Sequence, residues 1–255
     1  QIAPYHKLIA RQFPSSANIP TGLGKTSIVV IWLIALAQHP YRVPRRLVYV
    51  VNRRTVVDQT TTEVVKLREQ LIKHPDLATV AGQLRSLGAI PVSEAAPLAI
   101  STLRGKFADN REWSVDPARP AVVIGTVDMI GSGLLFNRYT AGFKLRPHHA
   151  ALLAQDALLV HDEAHLEPAF QNLLEAIVAE QAHANDPRKL HVIALTATSR
   201  HANPPERPIF GLTADDKKSC IEDGIEKNVV LQRFHAIKQL RLIGVAAEKD
   251  VRVEI

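Results

Sequence analysis

Seven consecutive residues, Pro20-Thr21-Gly22-Leu23-Gly24-Lys25-Thr26, combine the residue types needed to hold a chain of phosphates. A triphosphate concentrates negative charge, and a backbone can wrap it only where side chains are absent. Gly22 and Gly24 permit that approach, with their N–H groups turned inward at the start of a helix. Lys25 is then placed to reach the β- and γ-phosphates, and the Thr26 hydroxyl to ligate Mg²⁺. Ser27 opens an apolar stretch that reads as a helix, and residues 17–19 ahead of the turn read as a strand. A Gly-Lys-Thr on an ordinary surface turn is the competing reading, and those two flanking elements argue against it.

Such a loop needs an acidic counterpart, and residues 158–165 (LLVHDEAH) supply one. An apolar run ending in Asp162-Glu163 sets both carboxylates at the carboxyl edge of a sheet, where open α/β folds bind their ligands. Asp162 would hold Mg²⁺ through water, and Glu163 would orient and deprotonate the attacking water. Alone, an acid pair at a strand end reads as a helix cap. In one chain with the glycine-lined loop it reads as catalytic. Thr196-Ala197-Thr198 follows the next apolar run, Thr196 lying 34 residues beyond Asp162. Two hydroxyls around a small residue can hydrogen-bond the acid site and relay its state to a neighbouring domain; a plain threonine-rich turn is the alternative.

Short β-rich runs at 46–51, 98–102, 121–126, 157–161 and 190–195 alternate with helical patterns at 25–38, 54–72 and 169–184. Several of the runs are almost wholly apolar, which marks strands covered on both faces. The alternation predicts right-handed crossovers and an α/β domain: a doubly wound, mainly parallel sheet with helices on both faces. After Thr198 come Pro204, Pro205 and Pro208 and a stretch of mixed charge. This predicts a domain over 1–200 and a connector, leaving the sheet, over 201–255.

The chain has 255 residues, 46% hydrophobic and 22% charged, which excludes a wholly disordered protein. Its longest uncharged apolar run, 28–37, falls short of the about 20 residues a bilayer requires. Cys220 is the only cysteine, so no internal disulfide forms; this fits a cytoplasmic location. Net charge is +6 and unevenly placed: residues 1–60 carry eight Lys or Arg against one acid, Asp58. Such a basic block suggests a polyanionic partner, with a solvated basic face as the alternative. The start at Gln1 and the strand-like end suggest part of a longer protein.

Taken in order, the residues around Lys25, Asp162-Glu163-Ala164-His165 and Thr196-Ala197-Thr198 resemble motifs I, II and III of superfamily 2 helicases, the DEAD/DEAH-box group. Ile19 in place of the leading glycine is the variant loop of those enzymes. Longer strings, 47–59 (LVYVVNRRTVVDQ), 101–105 (STLRG), 125–132 (GTVDMIGS) and 162–170 (DEAHLEPAF), resemble the CRISPR-associated helicase of type I systems, particularly its G (formerly U) subtype. The resemblance covers most of residues 1–240. It implies a RecA-like lobe that binds ATP and Mg²⁺, with His165, Thr196 and Thr198 coupling hydrolysis to movement. Asn52, Arg53 and Arg54, then Arg104, then Thr126 would contact the backbone of single-stranded DNA, as loops at successive strand ends should. It further implies a second RecA-like lobe bearing an arginine finger, an HD nuclease domain, a CRISPR surveillance complex as partner in antiviral defence, and 3′→5′ movement. The chain departs from the pattern at residues 3–7, where no glutamine is present to read adenine and Tyr5 is left to stack on the base. A restriction-type DNA translocase, an RNA helicase lobe, and a nucleic-acid-binding module without turnover are the competing functions.

Overall fold

Two clusters of buried side chains sandwich one sheet, and the strand β2 (Arg46–Val51) shows how the sequence builds them. Leu47, Tyr49 and Val51 face one cluster, while Val48 and Val50 face the other. Successive strand residues point to opposite faces, so a strand apolar at five consecutive positions, 47–51, must be covered twice. The computed structural model describes residues 2–18, 25–90, 96–104, 111–138, 141–196 and 209–211.

The chain begins with helix α1 (Ile2–Ile9), strand β1 (Ser16–Asn18) and helix α2 (Ser27–Gln38), then enters β2. Helices α3 (Arg54–Lys73) and α4 (Ala78–Arg85) lead to β3 (Ala99–Leu103). A short α5 (Glu112–Val115) precedes β4 (Ala121–Thr126), which α6 (Val127–Leu134) and α7 (Arg146–Ala154) connect to β5 (Ala157–Asp162). Helix α8 (Pro168–His183), β6 (Leu190–Thr196) and β7 (Ile209–Gly211) complete the described elements. The strand order is β3-β4-β2-β5-β6-β1-β7, and every pairing is parallel. The doubly wound α/β architecture read from the sequence is therefore correct, with a sheet that is parallel throughout rather than mainly so.

One face is covered by α1, α2, α3 and α4, the other by α5 to α8. Trp32, fully buried on α2, donates its indole N–H to the carbonyl of Pro44 at 2.7 Å, so the largest apolar side chain of that face leaves no polar atom unpaired. Trp113 anchors the opposite cluster with Leu159 and Leu174. Each such buried large side chain contributes about 1.5–3 kcal/mol relative to an exposed one.

The strand pattern at 46–51 and 121–126 matches to the residue. Differences concentrate at short elements. Residues 209–211, placed by the sequence in a connector that leaves the sheet, return to it and pair with β1 through Ser16↔Ile209 and Asn18↔Gly211. The sheet therefore runs beyond residue 200. Three residues carry too little pattern to announce a strand, and their partner lies about 190 residues upstream.

Candidate functional site

In a parallel sheet all carboxyl ends share one edge. The first consequence is that Lys25, seven residues past β1, reaches the end of β5 even though β6 lies between those strands. Lys25 Nζ stands 3.3 Å from Asp162 Oδ1 and 2.5 Å from Glu163 Oε1. The lysine side chain is 8% exposed, so its charge is held mainly by these two acids.

Adjacent residues on a regular strand face opposite ways, and two consecutive carboxylates would not meet one cation. The chain solves this at Glu163, whose backbone is left-handed (φ 52°, ψ 42°). A side-chain-bearing residue costs about 1–3 kcal/mol there, and such strain collects at functional sites. The turn is tied locally by the Glu163 N–H donating to Asp162 Oδ1 at 3.0 Å. His165, on the following single turn, places Nδ1 3.5 Å from Glu163 Oε2 and 3.4 Å from Thr196 Oγ1. Glu163, His165 and Thr196 thus form one chain of polar contacts between the ends of β5 and β6.

An open cleft of about 700 Å³ lies over this edge, lined by Lys25, Thr26, Tyr49, Asn52, Arg53, Asp162 and Glu163 among others. Thr26 precedes α2 as its N-cap residue, yet its hydroxyl makes no capping hydrogen bond and stands exposed. Ser27 is the first residue of α2. Pro20, Thr21, Gly22, Leu23, Gly24 and Thr198 lie outside the described residues.

The residues read as strand contacts do not behave alike. Asn52 borders the cleft with its side-chain oxygen buried and unpaired. Arg53 and Arg54 are both exposed where β2 passes into α3. Arg104 is instead tied to Asp58 of α3 at 2.5 Å. Thr126 is buried at 8% exposure, capping the junction of β4 and α6. Of the three arginines, all exposed, Arg53 and Arg54 are the two without an ion pair to a described carboxylate.

Sequence reasoning missed Tyr49. It sits within the apolar run of β2, opposite Val160 of β5, and its hydroxyl donates to Asp162 Oδ2 at 3.2 Å. Burial, then the nearby Asp162 charge, push the Tyr49 phenol well above its usual range, so it remains a donor. A phenol in the otherwise aliphatic run 47–51 was the available signal. His161, one residue before the acid pair, is fully buried and bonds Gln171 Oε1 through Nδ1 at 3.0 Å. Burial lowers its pKa, against smaller opposing effects of Gln171, Asp162 and Glu167. Among the described residues no group of three or more His, Cys, Asp or Glu is arranged to hold a metal by itself. A cation at Asp162 would need further oxygen donors from Thr26 and from its own ligand.

An all-parallel sheet with helices on both faces and a lysine–carboxylate cluster at its carboxyl edge defines a RecA-like α/β domain. The DEAD/DEAH box helicase family matches residues 5–205, and the chain belongs to that family. Among solved structures it is similar to the DUF1998 helicase MrfA bound to DNA, with a TM-score of 0.50 and 16% identity over 82% of this chain. It also resembles a nuclease-deletion mutant of the Type ISP restriction-modification enzyme LlaGI in complex with a DNA substrate mimic. That likeness has a TM-score of 0.44 and 14% identity over 86% of this chain and 20% of the other. The first of these likenesses shows the fold. The chain spans 26% of the MrfA chain. No curated protein matches the sequence. No helix among the described residues is long and apolar enough to cross a membrane.

Proposed function

We propose that this chain is the first RecA-like lobe of an ATP-dependent DNA helicase or translocase, with a second RecA-like lobe completing the motor. The observation that carries the reading is the meeting of Lys25 with Asp162 and Glu163, 137 and 138 residues apart in sequence.

The donor set suits a magnesium–triphosphate. Asp162 and the uncapped Thr26 hydroxyl are hard oxygen donors of the kind Mg²⁺ prefers, and Lys25 is a buried cation whose present partners are both anions. In this reading Thr26 and Asp162 hold the metal, with Pro20 to Ser27 around the phosphates. When bound, Mg²⁺ neutralises charge on the phosphate oxygens. Lys25 exchanges its carboxylate partners for phosphate oxygens. This frees Glu163 to orient a water and accept its proton on a side-chain oxygen. His165 joins Glu163 to Thr196, and that contact transmits the state of the acid pair toward the second lobe. Arg53 and Arg54 hold the backbone of single-stranded DNA.

The finer reading is the CRISPR-associated helicase of type I interference in antiviral defence, acting with a surveillance complex and an HD nuclease. Strings 47–59, 125–132 and 162–170 support it. Its test is stimulation of ATP hydrolysis by a target-bound surveillance complex beyond that given by free single-stranded DNA; equal stimulation by both rejects it.

The motor reading is tested with Glu163→Gln. Binding of a fluorescent ATP analogue is retained while hydrolysis falls on the order of 10²-fold or more. The residual rate of the parent chain is itself low, because an arginine finger from a second lobe is worth about 10³–10⁵ in rate. A Glu163→Gln chain that hydrolyses ATP as fast as its parent removes Glu163 from this role.

A further inference from the structure

The opposite edge of the sheet, where β2, β5 and β6 begin, carries a second open cleft of about 600 Å³. Arg11, Arg42, Arg45, Arg46, Arg188 and Lys189 line it, and Asp156 is the one acid among its lining residues. Asp156 offsets them only in part: its charge favours the Arg46 guanidinium, while its carboxylate accepts from the backbone N–H of Arg45 at 3.3 Å, and it is one acid against six cations. Among the described residues none of the six cations lies within ion-pair distance of a carboxylate. The inner guanidinium groups are fixed in place by carbonyls instead. Arg46 donates to Pro117 O at 2.7 Å and to Gln155 O at 2.6 Å, and Arg45 donates to Ala118 O at 3.1 Å. Arg46 is 6% exposed and its Nε has no partner. The outer members, Arg11, Arg42, Arg188 and Lys189, are exposed.

Concentrating like charge this way is unfavourable unless an anion arrives from outside. The local field is visible at His191, in the same cleft and stacked on Phe13 at 3.9 Å. Burial, then Arg11 and Lys189, lower its pKa to about 4. At the rim stands Tyr41, 89% exposed. Forked guanidinium donors match phosphate oxygens, and a basic groove with an unburied aromatic ring is the surface that suits an unpaired strand, whose bases offer π-faces.

We infer that this cleft is a second binding site for single-stranded nucleic acid, with the cationic wall holding backbone phosphates and Tyr41 stacking on a base. The inference rests on the nucleic-acid part of the function proposed above and adds a contact surface on the far edge from Arg53 and Arg54. It divides the basic block of residues 1–60 between two edges: Arg53 and Arg54 on one, Arg11, Arg42, Arg45 and Arg46 on the other.

The test measures binding of fluorescent oligothymidylate to the chain across a salt series. Arg188→Ser with Lys189→Ser, both exposed, should weaken binding and reduce the salt slope by about 1.4, two phosphate contacts on a single strand. Tyr41→Ala should weaken binding about fivefold or more with the slope retained. An unchanged slope in the first variant overturns the inference. So does normal binding by Tyr41→Ala combined with displacement by polyglutamate, which assigns the cleft to an acidic protein segment. Loss confined to an Arg53→Ala, Arg54→Ala variant rejects this site and keeps the other edge. A chain that binds ATP analogue but no oligothymidylate at low salt overturns the site while leaving the nucleotide reading intact.

Discussion

The Tyr49 hydroxyl donates a 3.2 Å hydrogen bond to Asp162 Oδ2, while the other oxygen of that carboxylate faces Lys25 Nζ. Asp162 is thus fixed from two sides, by a phenol in the neighbouring strand and by a lysine from the loop after β1. Tyr49 is 1% exposed and packs in the sheet core, so its donor cannot swing away.

Tyr49→Phe keeps the ring and removes only this donor. We expect a measurable drop in melting temperature, since a hydrogen bond to a charged acceptor contributes about 1.5–3 kcal/mol. A second effect falls on Mg²⁺: calorimetric titration with a non-hydrolysable nucleotide should show metal binding about tenfold weaker, about 1.4 kcal/mol. Equal Mg²⁺ affinity in the variant and its parent would mean Tyr49 merely fills space.

Arg53→Ala with Arg54→Ala alters two exposed cations at the carboxyl edge. Single-stranded DNA binding should weaken, and the salt slope should fall by about 1.4. Folding should be unaffected, as neither side chain is buried. Thermal melts and a salt titration of oligonucleotide affinity check both halves of that statement.

His191 gives stability a pH signature. The folded imidazole titrates near 4, whereas the unfolded chain titrates at the ordinary 6.5. Between those values the unfolded state binds a proton that the folded state refuses. Stability is therefore full above pH 6.5 and declines as pH drops toward 4, with no further loss from this group below that. Partial exposure keeps the slope under the roughly 1.4 kcal/mol per pH unit of one whole proton. His191→Phe preserves the stack on Phe13 and should flatten the denaturation midpoint across that window; an unaltered pH profile refutes the assignment.

Gly125, paired with Leu103 across β3 and β4, has no room for a methyl group. A Cβ there would lie 3.0 Å from Ile130 Cδ1 and 3.1 Å from the Leu103 carbonyl oxygen. Gly125→Ala should cost about 1–3 kcal/mol by overpacking, read as a lowered melting temperature. Stability equal to the parent would show that α6 shifts freely over the sheet.

Much of this protein was legible before any coordinates, and the reason is local. The runs 47–51 and 121–125 carry no charged or polar aliphatic residue, and so short an apolar run reads as a strand buried on both faces. The loop ending in Lys25 and the pair Asp162-Glu163 were visible because chemistry restricts residue types there more tightly than packing does. Arg104 and Thr126 looked equivalent to Arg53 and Arg54 in sequence. One is bound to Asp58 and the other is buried, because the pairing of a side chain depends on elements far away in the chain.

Composition and spacing alone determined the α/β class, the parallel sheet, its main strands and the residues proposed for the site, since each follows from short-range periodicity or from residue chemistry. Strand order, the return of residues 209–211 beside β1, the support of Asp162 by Tyr49 and the gathering of six cations at the amino edge came only with the folded chain. Those features join residues separated by tens to hundreds of positions, and no local pattern encodes which distant segments will be neighbours.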